Sequence, residues 1–159
     1  MKTFQLRVAR YVTGVEMREL GLYLNISRTI ISRWENQKPL DEIKSKKISA
    51  SSLVFFFKQH GVLFPNDNTV TLDTKQASLQ SEHLTRFQLR AARVALSLSQ
   101  EELANLTNTP KTLINYLEIQ KNEIFLNTTN KNVDDLIFKN FFSKNGILFP
   151  DSYSICLTG

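Results

Sequence analysis

The sequence predicts a mainly α-helical chain made of two tandem copies of one unit, each copy closing in a short β-hairpin. Self-similarity is the first of three observations behind that prediction. Phe4-Gln5-Leu6-Arg7-Val8-Ala9-Arg10 recurs as Phe87-Gln88-Leu89-Arg90-Ala91-Ala92-Arg93, identical at six of seven positions. At the same offset Glu19-Leu20 falls on Glu102-Leu103, Asn25 on Asn108, Thr29 on Thr112, Ile31 on Ile114, Glu35 on Glu118 and Gln37-Lys38 on Gln120-Lys121. After a two-residue shift the match resumes, with Gly61-Val62-Leu63-Phe64-Pro65 on Gly146-Ile147-Leu148-Phe149-Pro150 and Val70-Thr71-Leu72 on Ile155-Cys156-Leu157. Helical spacing of apolar residues through most of each copy is the second observation, and a β-rich ending to each copy is the third. The copies span residues 1–74 and 84–159, joined by a linker of low hydrophobicity at about 75–83.

Within the first copy, Phe4 to Thr13 places Leu6, Ala9 and either Val8 or Val12 on an inward stripe, with Gln5, Arg7 and Arg10 around it. Gly14 ends that helix. Met17 to Leu24 has the spacing of a second short helix, and Asn25-Ile26 makes a corner at which Asn takes the left-handed backbone. A third helix from Ser27 to Asn36 turns Ile31 and Trp34 inward and Arg28, Thr29, Ser32 and Arg33 outward, with Ser27 placed to cap its start. Gly21 is small where the next helix crosses close. A basic connector, Lys38 to Lys47, then leads to a helix from about Ser49 to His60 that carries Leu53, Phe56 and Phe57. Val62 to Pro65 and Thr69 to Leu72 flank the turn residues Asn66-Asp67-Asn68 and form the hairpin.

Composition narrows the class of function. At 159 residues, with 42% hydrophobic and 10% aromatic side chains, the chain can build packed cores and is globular. No apolar run approaches the roughly 20 residues of a membrane span, and Met1-Lys2-Thr3-Phe4 runs straight into a charged amphipathic pattern, so the reading is cytoplasmic with no membrane partner. Cys156 stands alone and reads as a small apolar filler, which leaves no disulfide framework and no zinc cluster. His60 and His83 have no second ligand or carboxylate at useful spacing, and no Gly-rich phosphate loop, nucleophile elbow or Cys-His cluster occurs. The expectation is a non-enzymatic protein with no cofactor and no metal. A net charge of +5 and a pI near 9.4 favour a polyanionic partner. That charge is uneven: residues 1–74 carry eleven basic against seven acidic side chains, and 75–159 nine against eight.

Two short helices meeting at a tight turn, the second with an apolar back and a basic front, are expected to form a DNA-reading unit. Both copies resemble the lambda-repressor-like, Cro/C1-type (XRE) helix-turn-helix family. The words that carry the likeness are Leu6 to Arg10, Glu19-Leu20-Gly21, Asn25-Ile26-Ser27 and Ile30 to Asn36 in the first copy. In the second they are Leu89 to Arg93, Ser99 to Ala104 and Leu113 to Glu118, and both Gly-Val/Ile-Leu-Phe endings are similar to the tail of many small bacterial members. The resemblance covers nearly the whole chain and implies a duplicated five-helix DNA-binding domain. It also implies a polar Gln at the start of the second helix, bracing a backbone phosphate; Gln100 is that residue, whereas the first copy has Met17. Conversely, the second copy replaces the front Ser27, Arg28, Thr29, Ser32 and Arg33 by Pro110, Lys111, Thr112, Asn115 and Tyr116.

These features define the expected contacts. Arg28 and Arg33 reach base edges in the major groove, where an Arg fork suits guanine O6 and N7, while Ser27, Thr29, Ser32 and Asn36 add short contacts. Lys38, with Lys44, Lys46 and Lys47, neutralises phosphates. Lys111, Thr112 and Asn115, with Gln100, offer a weaker second head over residues 110–119, Asn115 suiting adenine; the alternative expectation is that the second copy serves as a pseudo-dimer partner, a pairing or structural copy of the first. Glu35 and Glu118 are expected to pair with Arg10 and Arg93 within the fold. The expected function is therefore sequence-specific binding of double-stranded DNA by a transcriptional regulator. The terminal strands are expected to build either a homodimer or an intramolecular pseudo-dimer, because a lone hairpin leaves open edges. The rival expectation is a protein-interaction module, an inhibitor of another regulator or an antitoxin-like partner, using the Phe-rich helices or the Tyr116 face.

Overall fold

A computed structural model of the chain describes residues 1–75, 82–130 and 132–159. In the first half, helices α1 (Thr3–Thr13), α2 (Met17–Leu24), α3 (Arg28–Glu35) and α4 (Ala50–Gln59) precede strands β1 (Val62–Leu63) and β2 (Thr69–Leu72). The second half runs α5 (Arg86–Ala95), α6 (Gln100–Thr107), α7 (Lys111–Glu118), α8 (Leu126–Thr129), α9 (Asp135–Lys144), β3 (Ile147–Leu148) and β4 (Ser154–Leu157). The chain is mainly helical with one small antiparallel sheet. Most of the linker expected at 75–83 lies outside the described residues.

A fifth helix is present only in the second half, where α8 is a single turn held by the buried Leu126. The matching stretch of the first half, residues 36–49, has none. Pro39 lacks a backbone donor there, and beside the like-charged Lys44, Lys46 and Lys47 the residues that pack against the core are Leu40, Ile43 and Ile48. The turns are as the residue types predict. Gly14 closes α1 at φ 73°, and Asn25 and Asn108 close α2 and α6 at φ 55° and 52°.

Each N-terminal helix is anchored twice by the same device. The segment before it pairs with the stretch after the third helix: Thr3 N–H donates to Asp41 O at 2.9 Å and Ile43 N–H to Met1 O at 3.0 Å, while Arg86 N–H donates to Ile124 O at 2.8 Å and Leu126 N–H to Leu84 O at 2.9 Å. A buried glutamine then reaches the hairpin. Gln5 Nε2 donates to Asn66 O at 2.8 Å and Thr69 O at 3.0 Å, and Gln88 Nε2 to Asp151 O at 2.5 Å and Ser154 O at 3.4 Å. The expectation that Gln5 lies outside the apolar stripe is thus corrected, because the carbonyls of the hairpin turn satisfy its amide inside the core.

The two halves share one sheet, in the order β1-β2-β4-β3. Of the two arrangements expected for the terminal strands, the chain adopts the intramolecular one. Thr69 faces Cys156, Val70 faces Ile155 and Thr71 faces Ser154. Since Ile155 is the repeat counterpart of Val70, and Ser154 and Cys156 those of Thr69 and Thr71, the register is reciprocal and an approximate two-fold axis passes between Val70 and Ile155. Helices α1 and α5, also counterparts, pack against each other. Val8 and Val12 of α1 correspond to Ala91 and Ala95 of α5, and all four are buried. Both Val8 and Val12 are buried, where the sequence pattern leaves a choice between them. One apolar core runs through both halves.

Candidate nucleic-acid interface

The candidate site is built from the angle between α2 and α3. Leu20, Leu24, Ile31 and Trp34 fill that angle from both helices and are buried. Left-handed Asn25 turns the chain, and Ile26 N–H returns to Gly21 O at 2.9 Å. A Cβ on Gly21 would stand 2.8 Å from Ile26 O, so the close approach requires glycine. The second half has Ala104 at this position, with Thr107 and Thr109 bonded hydroxyl to hydroxyl at 2.8 Å across its turn.

An ion pair fixes each third helix against its first helix. Arg10 Nε and Nη2 donate to Glu35 Oε2 and Oε1 at 2.7 and 2.8 Å, and Arg93 Nε and Nη2 to Glu118 Oε2 and Oε1, both at 2.7 Å. These are the pairs the sequence predicts. Burial pulls the Arg10 guanidinium toward losing its proton, but hydrogen bonding and charge from Glu35 outweigh this and raise its pKa. Arg86 donates from Nε to Glu118 O at 2.7 Å; burial first and then the charge of Arg90 hold its pKa down to about 10. Its counterpart Thr3 makes a similar link one residue earlier in the third helix, Oγ1 to Trp34 O at 3.2 Å. The bases of α3 and α7 are thereby held by buried bonds while their outer faces stay in solvent.

On that outer face of α3, Arg28, Thr29, Arg33 and Asn36 are exposed and Ser32 is half-buried. Asn36 Nδ2 lies 3.5 Å from Ser32 Oγ. Ser27 is the N-cap residue, but its side chain accepts no capping bond, which corrects the expectation; its backbone carbonyl accepts from Ile30 N–H at 3.1 Å instead. Lys38 is exposed beyond the helix, with its backbone N–H bonded to Asp41 Oδ2 at 3.2 Å, and Lys44, Lys46 and Lys47 are exposed along the connector. The corresponding stripe is Lys111, Thr112, Asn115 and Tyr116 on α7, continued by Ile119 at its C-cap, all exposed. Asn115 Nδ2 donates to Gln100 Oε1 at 3.3 Å. Met17 and Ser32 hold the matching positions in the first half, and Met17 has no group to complete such a bond.

Arg7 is a residue that pattern reading passes over. It lines a cleft of about 500 Å³ together with Tyr11, Gln100 and Lys111, and its guanidinium donates to Ser97 Oγ of the other half. The first half therefore adds a cation beside the start of α7. Its presence in the repeated word Leu-Arg is a signal, but only the docking of α1 on α5 gives it a neighbour. His83 is a second correction. Its Nδ1 lies 3.0 Å from Asp135 Oδ2, a carboxylate 52 residues away that folding brings to it, and Leu84 N–H donates to the same oxygen at 2.9 Å. Burial raises the Asp135 pKa. His60 instead stacks on Phe56 with its Nδ1 2.9 Å from Phe56 O.

Among the described residues, no group of three or more His, Cys, Asp or Glu side chains could hold a metal ion, and no helix is long and apolar enough to cross a membrane. In comparisons with protein-family models, curated proteins and solved structures, nothing matches this chain.

Proposed function

We propose that the chain is a sequence-specific double-stranded DNA-binding regulator of transcription, a tandem member of the lambda-repressor-like, Cro/C1-type helix-turn-helix family acting in a bacterial cytoplasm. The observation that carries this reading is the outer stripe of α3. Arg28, Thr29 and Arg33 stand in solvent on a short helix whose back is locked by Ile31, Trp34 and the Arg10–Glu35 pair. A rigid helix presenting Arg forks matches the width of the major groove and the paired acceptors of guanine. The connector lysines and Arg7 supply phosphate-facing charge that sets register without reading sequence.

The test is a titration against a pool of promoter fragments at several salt concentrations. Selected fragments should bind at least about a thousandfold more tightly than random duplex. Arg28→Ala/Arg33→Ala should remove most of that preference, while Lys38→Ala should lower affinity for all duplexes alike and flatten the salt dependence by about one unit of slope. Binding no better than to random DNA overturns the reading. A protein-interaction module is the second reading, and Phe55 favours it: 55% exposed on α4, it adjoins Phe56, which packs on the exposed Tyr23 at 4.7 Å. Retention of one regulator protein by the intact chain, lost in Phe55→Ser and kept in Arg28→Ala/Arg33→Ala, would establish it.

A further inference from the structure

The two outer stripes differ in chemistry although the elements beneath them correspond. On α3 the positions are Arg28, Thr29, Ser32, Arg33 and Asn36; on α7 they are Lys111, Thr112, Asn115, Tyr116 and Ile119. The last exchanges are the sharpest. Arg33 becomes Tyr116, 46% exposed, and Asn36 becomes Ile119, 67% exposed, one helical turn apart. Both lie away from the buried side of α7, which Ile114 and Leu117 occupy. Asn115, meanwhile, is oriented by its bond to Gln100, which uses one of its donors and leaves its carbonyl and second donor free to face outward.

Resting on the DNA-reading assignment above, we propose that one chain reads a non-palindromic, two-part site: a G·C-containing half under α3 and an A·T-rich half under α7. The Arg pair on α3 matches guanine O6 and N7. On α7 the side-chain amide of Asn115 matches adenine N6 and N7, and Tyr116 and Ile119 offer apolar surface to the thymine methyl that only an A·T pair presents in the major groove. Both heads belong to one rigid body. The reciprocal β2–β4 register and the α1–α5 packing join the two halves through counterpart elements, an approximately two-fold arrangement inside one chain in which α3 and α7 are counterparts. A homodimer of identical heads demands a palindrome; two unlike heads in one chain demand two unlike half-sites.

Selection of the full chain on a randomised duplex library, followed by footprinting and measurement of chains per duplex, tests this. The expected result is one chain per site, a consensus without internal two-fold symmetry, and two protected segments about 34 Å apart on one face of the duplex. Arg33→Ala should relax preference by roughly 5- to 150-fold in the G·C-containing half alone, and Asn115→Ala or Tyr116→Ala should do so in the A·T-rich half alone. A palindromic consensus, two chains per site, or relaxation of the same half by both sets of variants overturns this inference and leaves the DNA-reading assignment standing. Enrichment of no sequence overturns both.

Discussion

Glu35 and Glu118 show at the scale of one residue how the candidate site is held. Each carboxylate takes both arms of an arginine fork from the first helix of its half, and the bond joins the end of the third helix to the core. Removing one partner of such a pair strands a buried charge, so Glu118→Ala should lower stability by about 3–5 kcal/mol. Glu35→Ala should cost less, because Arg10 retains 12% exposure and solvent relieves part of the loss, whereas Arg93 is at 9% and Arg90 lies 3.7 Å from Glu118 as well. Urea unfolding of the two variants side by side checks the order; equal or reversed midpoints would contradict it. The outward residues obey different physics: Arg28→Ala should leave the urea midpoint within about 0.5 kcal/mol of the parent while changing DNA selectivity.

At the scale of the element, the α2–α3 turn depends on Gly21. Gly21→Ala places a Cβ against the backbone oxygen of Ile26, an atom that moves only if the whole turn moves. A loss of about 1–3 kcal/mol is expected, with weaker DNA binding because α3 is displaced. The matching Ala104→Gly should not improve the second half, whose turn is already built around a Cβ and a Thr107–Thr109 bond. Thermal denaturation and binding of the pair of variants read this directly. The N-terminus of α9 gives a pH prediction. Burial raises the Asp135 pKa, so the folded chain binds that proton more tightly than the unfolded chain, and the contribution of this group to stability grows as pH falls through the carboxylate range. Glu82, His83, Asp134 and Lys139 line the same pocket. On acidification from neutral pH to about pH 4, wild type should therefore gain stability relative to Asp135→Asn, a difference that unfolding midpoints at the two pH values measure.

At the scale of the whole molecule, the legible and illegible parts of the sequence divide by range. Helices, turns and hairpins were readable because their causes are local: Ile31 and Trp34 at helical spacing, Asn25 and Asn108 at left-handed corners, Gly14 at a helix end. The Arg10–Glu35 pair was readable because the repeat presents it twice. The burial of Gln5, the approach of His83 to Asp135 and the place of Arg7 beside Lys111 were not, since each arises from segments distant in sequence. The same long-range docking decides how the chain unfolds. Val70 and Ile155 are both fully buried, they face each other at the centre of the sheet, and the core that contains them also contains α1 and α5. Neither half can lose its hairpin without opening the other's, so heat or urea should unfold the chain in one cooperative transition, with calorimetric and van't Hoff enthalpies equal. Ile155→Asp, which buries a charge at the shared strand pair, should shift that single transition for probes in both halves, the one Trp, Trp34, reporting the first half although the substitution lies in the second. If instead the Trp34 signal keeps its wild-type midpoint while helical content falls in two steps, the halves are independent units and the shared core does not couple them.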